Sequence, residues 1–277
     1  MQTALKQPSP GWQAQLRLGF RKTPNKTVLA ERFRQGPLSV QRTLYPEQDL
    51  CHVYLLHPPG GVVGGDTLEI HVDVAEHASA LVTTPGAGKF YRSCGPCARQ
   101  QQQLTLSGGS LEWFPQENIL FPGAEVTLST QVRLDGKARF IGWEINCLGR
   151  PAVNERFDYG QAVFRFELTR DDRPVLLERL EVQGETGLTG SAGLRGHPVI
   201  GSLYATLDDP SLLDTIRGDK LVAQSHNLGI TIIDGVMITR YLGDSTEQAR
   251  GLFKRIWLSL RPAVLNRPAC EPRVWNT

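Results

Sequence analysis

Residues 12–20 read WQAQLRLGF, and this stretch decides the fold class. Its apolar residues, at positions 12, 14, 16, 18 and 20, alternate with glutamine, arginine and glycine. A repeat of two residues is that of a β-strand with one face on a core and the other in water. The same alternation recurs in Leu68–Val74 and in Val126–Val132. The sequence therefore predicts a mostly β protein.

More short strands are predicted along the chain, separated by turn signals. The turns are Gly108-Gly109, Asp135-Gly136, Asp171-Asp172 and Asp234-Gly235, and Asp-Gly between apolar runs is a strong hairpin signal. Many short strands without helices between them favour packed sheets, in a sandwich, barrel or solenoid-like arrangement. The further β-like runs are Leu50–Leu56, Ala78–Thr84, Gln102–Leu106, Ala138–Asn146, Ala162–Thr169, Val175–Val182, Val199–Leu207, Gly229–Asp234 and Val236–Leu242.

Two α-helices are predicted in the C-terminal third. The first begins around Pro210, since proline suits the first helical position, and ends at Gly218. The second begins at Ser245, which has capping-box spacing to Gln248, and Pro262 is expected to end it. Residues 262–277 would then be an extended tail. The apolar face of the second helix comprises Ala249, Leu252, Phe253, Ile256, Trp257 and Leu260.

Composition indicates one globular domain over residues 1–277. Hydrophobic residues make up 40% and charged residues 21% of the 277 positions, which is ordinary globular usage. The most flexible segment is expected at Gly184–Gly196, which is too polar and glycine-rich to pack a core of its own.

Charge and hydropathy restrict the classes of partner. The net charge of +2 gives no concentrated basic surface for nucleic acid or for an anionic membrane. No run approaches the roughly 18 apolar residues of a transmembrane helix, and the polar residues 1–11 do not resemble a secretory signal. The five cysteines are odd in number and widely spaced, unlike a secreted disulfide framework. A cytoplasmic location is therefore expected.

The run Cys94-Gly95-Pro96-Cys97 has the spacing of the redox motif of thioredoxin-like proteins. That chemistry needs a buried strand before the motif and a helix after it, whereas a β-like run follows here. Gly-Pro is equally typical of a plain surface turn. Capture of a metal by the two thiolates is a third interpretation, although two cysteines do not complete a tetrahedral site.

Two further patterns bear on enzymatic function. Gly86-Ala87-Gly88-Lys89 lacks the spacing of a phosphate-binding loop, because Thr83 stands where the first glycine belongs and Phe90 where Ser or Thr would bind magnesium. Neither a Gly-x-Ser-x-Gly elbow nor a His-Glu-x-x-His zinc motif occurs. The absence of these motifs makes an enzyme less expected, but it is weak evidence by itself.

One polar strand face could meet a metal. His71 alternates with Glu69 and Asp73, and Asp66 precedes them. Imidazole and carboxylate both suit nickel or zinc, although such a face is more often merely solvated.

The run His57-Pro58-Pro59-Gly60-Gly61-Val62-Val63-Gly64-Gly65-Asp66 holds four glycines and two prolines in ten residues. Glycine permits positive φ angles or a close backbone approach, and proline fixes φ. The run therefore predicts a tightly specified β-corner between Leu50–Leu56 and the strand that begins at Thr67.

Three motifs, in this order, resemble the UreD (also called UreH) family of urease accessory proteins: His57–Asp66, Thr83–Ser93 and Leu111–Ala124. The resemblance implies a β-rich fold with a pair of helices and a scaffold or chaperone instead of an enzyme. It implies partnership with the accessory proteins UreF and UreG, the latter a GTPase, in a complex that docks on the urease apoprotein. That complex delivers nickel to a site built on a carbamylated lysine. Nickel would pass through an internal route, and no cofactor would be held tightly.

The resemblance also suggests where nickel and partners meet this chain. Polar residues in or beside the motifs are candidates for lining the nickel route: Asp66, Glu69, His71, Glu112 and Glu144. The helix Ser245–Leu260 and the tail, with Trp257 and Trp275, are candidates for contact with the UreF-type partner, since buried aromatics often anchor interfaces. Trp257 could equally pack on the sheet.

Two other functions remain open beside this one. Cys94 and Cys97 could serve a thioredoxin-like oxidoreductase, or the chain could be a stand-alone β-sandwich binding module. The cysteine pair is not part of the family pattern, so nickel binding is not assigned to it.

Overall fold

The computed structural model describes residues 11–276, so the polar stretch 1–11, apart from its last residue, lies outside the described residues. Within them the chain forms 18 strands and four α-helices. The strands are β1 (Gln13–Lys22), β2 (Thr27–Gln35), β3 (Ser39–Val40), β4 (Cys51–Leu56), β5 (Thr67–Val74), β6 (Ser79–Thr83), β7 (Gly88–Phe90), β8 (Ala98–Ser107), β9 (Ser110–Phe114), β10 (Asn118–Leu120), β11 (Glu125–Asp135), β12 (Arg139–Arg150), β13 (Glu155–Arg156), β14 (Gln161–Arg170), β15 (Arg173–Gln183), β16 (Val199–Thr206), β17 (Leu228–Ile233) and β18 (Val236–Gly243). The helices are α1 (Gly184–Thr189), α2 (Leu212–Gly218), α3 (Lys220–Ala223) and α4 (Thr246–Leu265), and short 3-10 helices lie at Pro151–Val153 and Arg273–Asn276.

The strands build two sheets, which confirms the predicted mostly β fold. The first sheet has seven strands in the order β15-β14-β11-β8-β5-β1-β2. Its inner strands pair in parallel, and only the edge hairpins β1–β2 and β14–β15 are antiparallel. The second sheet has eleven strands, with the main path β17-β18-β16-β12-β9-β6-β4-β3. Here β4, β6, β9 and β12 are parallel neighbours, and β16 to β18 are antiparallel.

From β4 to β14 the chain contributes strands to the two sheets in turn, apart from the short β7, β10 and β13. The strand β4 lies in the second sheet, β5 in the first, β6 in the second and β8 in the first. Each return to a sheet places the new strand parallel to the previous one. This coil-like path is the solenoid-like packing that the short strand spacing predicted. It places loops from successive passes side by side at each end of the sheets.

Apolar side chains fill two layers. Inward residues of both sheets, such as Leu16, Val72 and Leu104, form one core. The second sheet also buries its outer face, because α4 packs on it through residues such as Phe253 and Trp257. The strand β9 illustrates the division, since Trp113 belongs to the inner core and Phe114 to the layer under α4.

The helix α4 is the predicted late helix, with one correction. The Ser245 hydroxyl accepts a hydrogen bond from the backbone N–H of Gln248 at 3.1 Å, so the predicted cap is present. The prediction that Pro262 ends the helix is wrong, because α4 continues to Leu265. Proline inside a helix removes one hydrogen bond and costs about 3 kcal/mol. Burial of Arg261 and Val264, on either side of the proline, offsets that cost.

The glycine-rich segment Gly184–Gly196 also differs from expectation. It begins with α1 and continues in turns, and the side chains of Leu188 and Leu194 are buried in the inner core. The segment packs no core of its own, but these two leucines anchor it to the inner core. The other predicted helix, after Pro210, is the short α2. Over residues 11–276, no helix combines the length and apolar character needed to cross a bilayer.

Candidate functional site

The corner His57–Asp66 is held by its last residue. The Asp66 carboxylate accepts hydrogen bonds from the backbone N–H of Trp12 at 2.7 Å and of Val63 at 2.9 Å. Backbone bonds from Val62 to Lys89 and from Tyr91 back to Val62 tie the corner to the second motif. The motifs that are separate in sequence are thus neighbours at one end of the sheets, as the alternating path of the chain requires.

These motifs surround a pocket of about 420 Å³ that opens between the sheets. Its walls are mainly apolar, and burial lowers the pKa of His57 at its edge, against the opposing effect of Asp66. An imidazole with a lowered pKa is neutral near pH 7 and can donate or accept. The polar side chains on its walls are His57, Thr84, Lys89, Gln100, Gln102, Gln116 and Asn118.

A line of polar groups leads from this pocket across the space between the sheets. Gln102 lies on β8 and Thr130 on the adjacent β11, and both side chains are buried. The Thr130 hydroxyl lies 3.1 Å from the Gln102 Oε1 atom and also contacts Glu144 on β12 of the opposite sheet. Three residues therefore link the two sheets by hydrogen bonds inside an otherwise apolar core.

The line ends at a second pocket, of about 230 Å³. The residues that line it include Glu144, Glu178, Arg240 and Tyr204. The Tyr204 hydroxyl donates to Glu178 at 3.0 Å, and Arg240 contacts both. A second link joins the pockets, because the Asn118 amide donates to the Asn146 side-chain oxygen at 2.9 Å.

The charge of Glu144 is finely balanced. Removal from water raises the pKa of its carboxyl to about 7, with Thr130 and Arg240 lowering it and Glu178 raising it. The Thr130 hydroxyl has a single proton to share between Gln102 and Glu144. When Thr130 donates to Gln102, a protonated Glu144 donates to Thr130. When Glu144 is ionised, Thr130 donates to it. Glu144 can therefore exchange a proton near neutral pH. In its ionised state it takes the Thr130 proton, and the Gln102 oxygen then loses its hydrogen bond from Thr130.

Of the five residues predicted to line a nickel route, only Glu144 meets this line. Glu69 and His71 alternate along β5 with Leu68 and Ile70, which line the first pocket, so they lie on the outer face of the first sheet. There Glu69 accepts from Gln15 at 3.2 Å, and the Glu69 oxygen and the His71 ring nitrogen are 3.9 Å apart. Asp66 is 3% exposed and both of its oxygens hold the corner.

Glu112 faces the layer under α4, where it forms a buried ion pair. Its two oxygens accept from the Arg261 guanidinium at 2.9 to 3.1 Å, and one accepts from the Trp257 indole at 2.7 Å. Arg261 also contacts Glu47 at 2.7 Å and the Pro268 carbonyl. Burial raises the pKa of Glu112, and Arg261 opposes that shift. The cluster ties α4 and the residues after it to β9.

The two tryptophans proposed for partner contact differ in exposure. Trp257 is fully buried against the sheet, as the alternative interpretation predicted. Trp275 is half-buried; its indole donates to the Thr83 hydroxyl at 3.1 Å and its ring packs on Phe114 and Trp143. The segment around Trp275 is therefore docked on the body of the protein.

The cysteine pair lacks the context of a thioredoxin. Cys97 is followed directly by the strand β8, so no helix N-terminus stabilises a thiolate there. Nor does any group of three or more His, Cys, Asp and Glu side chains suitable for a metal occur in the part of the chain that the structure describes.

Sequence reasoning did not identify Gln102, Asn118, Asn146, Glu178 and Arg240. A signal existed for the first of them, because Gln102 occupies an inward position of β8, in phase with Leu104 and Leu106. A polar residue in phase with a core stripe needs a buried partner. Thr130 stands in the same way between Leu128 and Val132 on β11.

The family model described as UreD urease accessory protein matches residues 13–276. A urease accessory protein UreD of Alcanivorax borkumensis is 48% identical over 274 residues, covering 96% of this chain and 93% of the relative. Proteins of the same name from Enterobacter sp. (strain 638) and Escherichia coli are 44% and 45% identical, covering 99% and 96% of this chain and 99% and 98% of their own lengths. The chain therefore belongs to the UreD family of urease accessory proteins.

Proposed function

We propose that this chain is a non-catalytic maturation factor for urease that passes nickel through its interior. Family membership supports the role in urease maturation. In the proposal, UreF and UreG bind the chain, the assembly docks on the urease apoprotein, and any nucleotide chemistry belongs to UreG. Nickel is cargo in transit, so the chain needs sites that bind it and release it.

The observation that carries the proposal is the line Gln102–Thr130–Glu144. It joins two pockets on either side of the inner core by groups that can each offer an oxygen to a cation. Carboxylate, amide and hydroxyl oxygens are weak ligands for nickel compared with thiolates, and imidazole is a good one. The first pocket adds the imidazole of His57 as a stronger ligand, and the second is lined by the weaker carboxylate of Glu144. Ligands distributed along the line in this way favour transfer of nickel over its storage.

Glu144 also explains how an ion could be accepted in a core. An isolated cation in an apolar interior is costly unless a counter-charge is present. With a pKa of about 7, Glu144 can release its proton as nickel arrives and recover it as nickel leaves. Release of that proton offsets one of the two positive charges of nickel while the ion is in the passage.

The proposed partner contact lies at the half-buried Trp275, where the docked C-terminal segment meets the surface. Trp257 lies inside the layer under α4 and would affect a partner only through packing. The substitution Trp275→Ala, assayed by co-purification with UreF, tests this contact. Undiminished co-purification would remove Trp275 from the interface.

The nickel passage is tested by Glu144→Gln and Thr130→Val. Both keep side-chain size; the first removes the charge and the second removes the hydroxyl. Each variant is co-expressed with UreF, UreG and urease subunits, and complex formation is checked by co-purification. We expect the nickel content of the purified urease to fall by about tenfold, as for loss of a ligand-orienting group.

The matched control is Glu69→Gln, which makes the same chemical change on the outer face of the first sheet. It should leave nickel content unchanged, and Asp66→Ala, His71→Ala and Glu112→Gln extend the series to the other predicted residues. Normal loading in both core variants, with the complex intact, would refute the passage. Equal losses in Glu69→Gln would refute the choice of route.

A further inference from the structure

Residues 91–97 connect β7 to β8, and one side chain closes the turn that contains Cys94. The Ser93 hydroxyl donates to the Pro96 carbonyl at 2.6 Å and accepts from the Gly95 N–H at 3.1 Å. Gly95 has a φ of +133° and open space around its Cα, and proline fixes the next φ. The chain therefore doubles back between Ser93 and Pro96, with one cysteine inside the turn and the other just after it.

The thiols of this turn differ from the other three in accessibility. Cys94 is exposed and Cys97 half-buried, where its thiol approaches the Ala98 carbonyl at 3.3 Å and the Thr127 hydroxyl at 3.6 Å. Cys51 and Cys147 are buried. Burial raises the pKa of the Cys51 and Cys270 thiols and that of Cys147 to about 12. Since the thiolate is the nucleophile, those three thiols should react more slowly with disulfides.

We propose that Cys94 and Cys97 are a reversible disulfide site that reacts with low-molecular-weight disulfides of the glutathione type. This inference goes beyond the proposed function and does not depend on nickel. The exposed Cys94 thiolate attacks one sulfur of the small disulfide, forms a mixed disulfide and releases one thiolate. The Cys97 thiolate then attacks the Cys94 sulfur, forms the intrachain bond and releases the second. Two protein thiols lose two electrons and two protons, and the small disulfide is reduced to two thiols.

The turn suits this step better than capture of a metal. A disulfide requires Cα atoms within about 4.4–6.8 Å, which a chain reversal over four residues can provide. A tetrahedral metal would need two more ligands, and no such group of ligating side chains occurs among residues 11–276. Because the turn lies at the surface, the bond stays open to reduction, as exposed disulfides do.

The turn is also in direct contact with the corner His57–Asp66. A Cβ atom placed on Gly64 would lie 2.2 Å from the Ser93 hydroxyl and 2.6 Å from the Pro96 carbonyl. The Gly65 N–H donates to the Cys97 carbonyl at 3.3 Å, and the Ser93 N–H donates to the Gly123 carbonyl at 2.9 Å. Oxidation would therefore cross-link a turn that contacts two of the three motifs, His57–Asp66 and Leu111–Ala124.

The test uses the full chain in buffers of rising glutathione disulfide content. The protein is quenched with a maleimide, denatured, and its free thiols are counted by intact mass. In the wild type we expect the count to fall from five to three with loss of two hydrogens, and dithiothreitol to restore it. Cys97→Ser should instead hold one glutathionyl group at Cys94. Cys270→Ser is the matched control, and it should oxidise at the pair like the wild type.

Three results would overturn the proposal. The wild type could keep five thiols throughout the series, or it could accumulate a glutathionyl group at Cys94 while Cys97 stays free. It could also form its disulfide through Cys270 or with a second chain. Since none of these readouts involves urease or nickel, failure here leaves the proposed function unaffected, and the reverse also holds.

Discussion

Replacing Glu144 by glutamine should make the protein more stable in a way that grows with pH. In the folded state the pKa of the Glu144 carboxyl is about 7, against an ordinary value of 4.5. Between these two values the folded chain holds a proton that the unfolded chain has already released. Stability must therefore fall as pH rises through this window. A shift of this size corresponds to about 3 kcal/mol, since each pKa unit corresponds to about 1.4 kcal/mol.

Glutamine keeps the shape of a protonated Glu144 and cannot ionise. Below about pH 4.5 the wild type and Glu144→Gln should differ only by a constant offset. Above about pH 7 the variant should gain up to about 3 kcal/mol on that offset. Arg240 and Glu178 face the same pocket, and their opposing effects are already part of the pKa of about 7.

The assay is urea unfolding followed by tryptophan fluorescence, in steps from about pH 5 to about pH 8.5. Glu155→Gln is a control of opposite sign, because the Arg150 hydrogen bond lowers the pKa of the exposed Glu155 carboxyl. The effect of Glu155→Gln on the free energy of unfolding should be small. The variant should not gain stability over the wild type as the pH rises. An advantage of Glu144→Gln that is the same at every pH, or largest in acid, would refute the placement of Glu144 in a water-poor core.

Two further stability predictions rest on packing. Arg261→Met leaves Glu112 and Glu47 without their buried counter-charge and should lower the free energy of unfolding by about 3–5 kcal/mol, whereas Arg261→Met with Glu112→Leu should recover part of it in urea titrations. Gly64→Ala places a methyl group 2.2 Å from the Ser93 hydroxyl and should cost about 1–3 kcal/mol in thermal unfolding. Gly86→Ala meets no atom within 4 Å and should cost less than about 0.5 kcal/mol; equal effects in the two glycine variants would contradict the tight contact at Gly64.

The sequence predicted most strands, because alternation is a local property that each strand carries in its own residues. It could not predict which strands pair, because parallel neighbours such as β5 and β8 are joined only through the opposite sheet. The same limit applies to the site. Glu112 and Glu144 both lie in β-strands of the second sheet, but on opposite faces, and only the assembled layers show that one meets Arg261 and the other Thr130.

Local rules also failed where packing opposed them. Proline is a reliable helix breaker in an isolated chain, but α4 is held on both sides of Pro262 by the buried Arg261 and Val264. In Gly184–Gly196, Leu188 and Leu194 anchor a glycine-rich segment to the inner core. Composition thus describes the average of a segment, but not the few residues that anchor it.

The position of α4 in the chain has a consequence for synthesis on the ribosome. This helix covers the outer face of the second sheet, including Phe114 and Trp143, yet it follows all eighteen strands of residues 11–276. The pair between Glu112 and Arg261 joins residues 149 positions apart. Until α4 has been translated, the growing chain therefore presents a broad apolar surface that this helix does not yet cover. The yield of folded protein in the cell should depend on how soon α4 is translated. It should also depend on whether a chaperone covers the apolar surface before then.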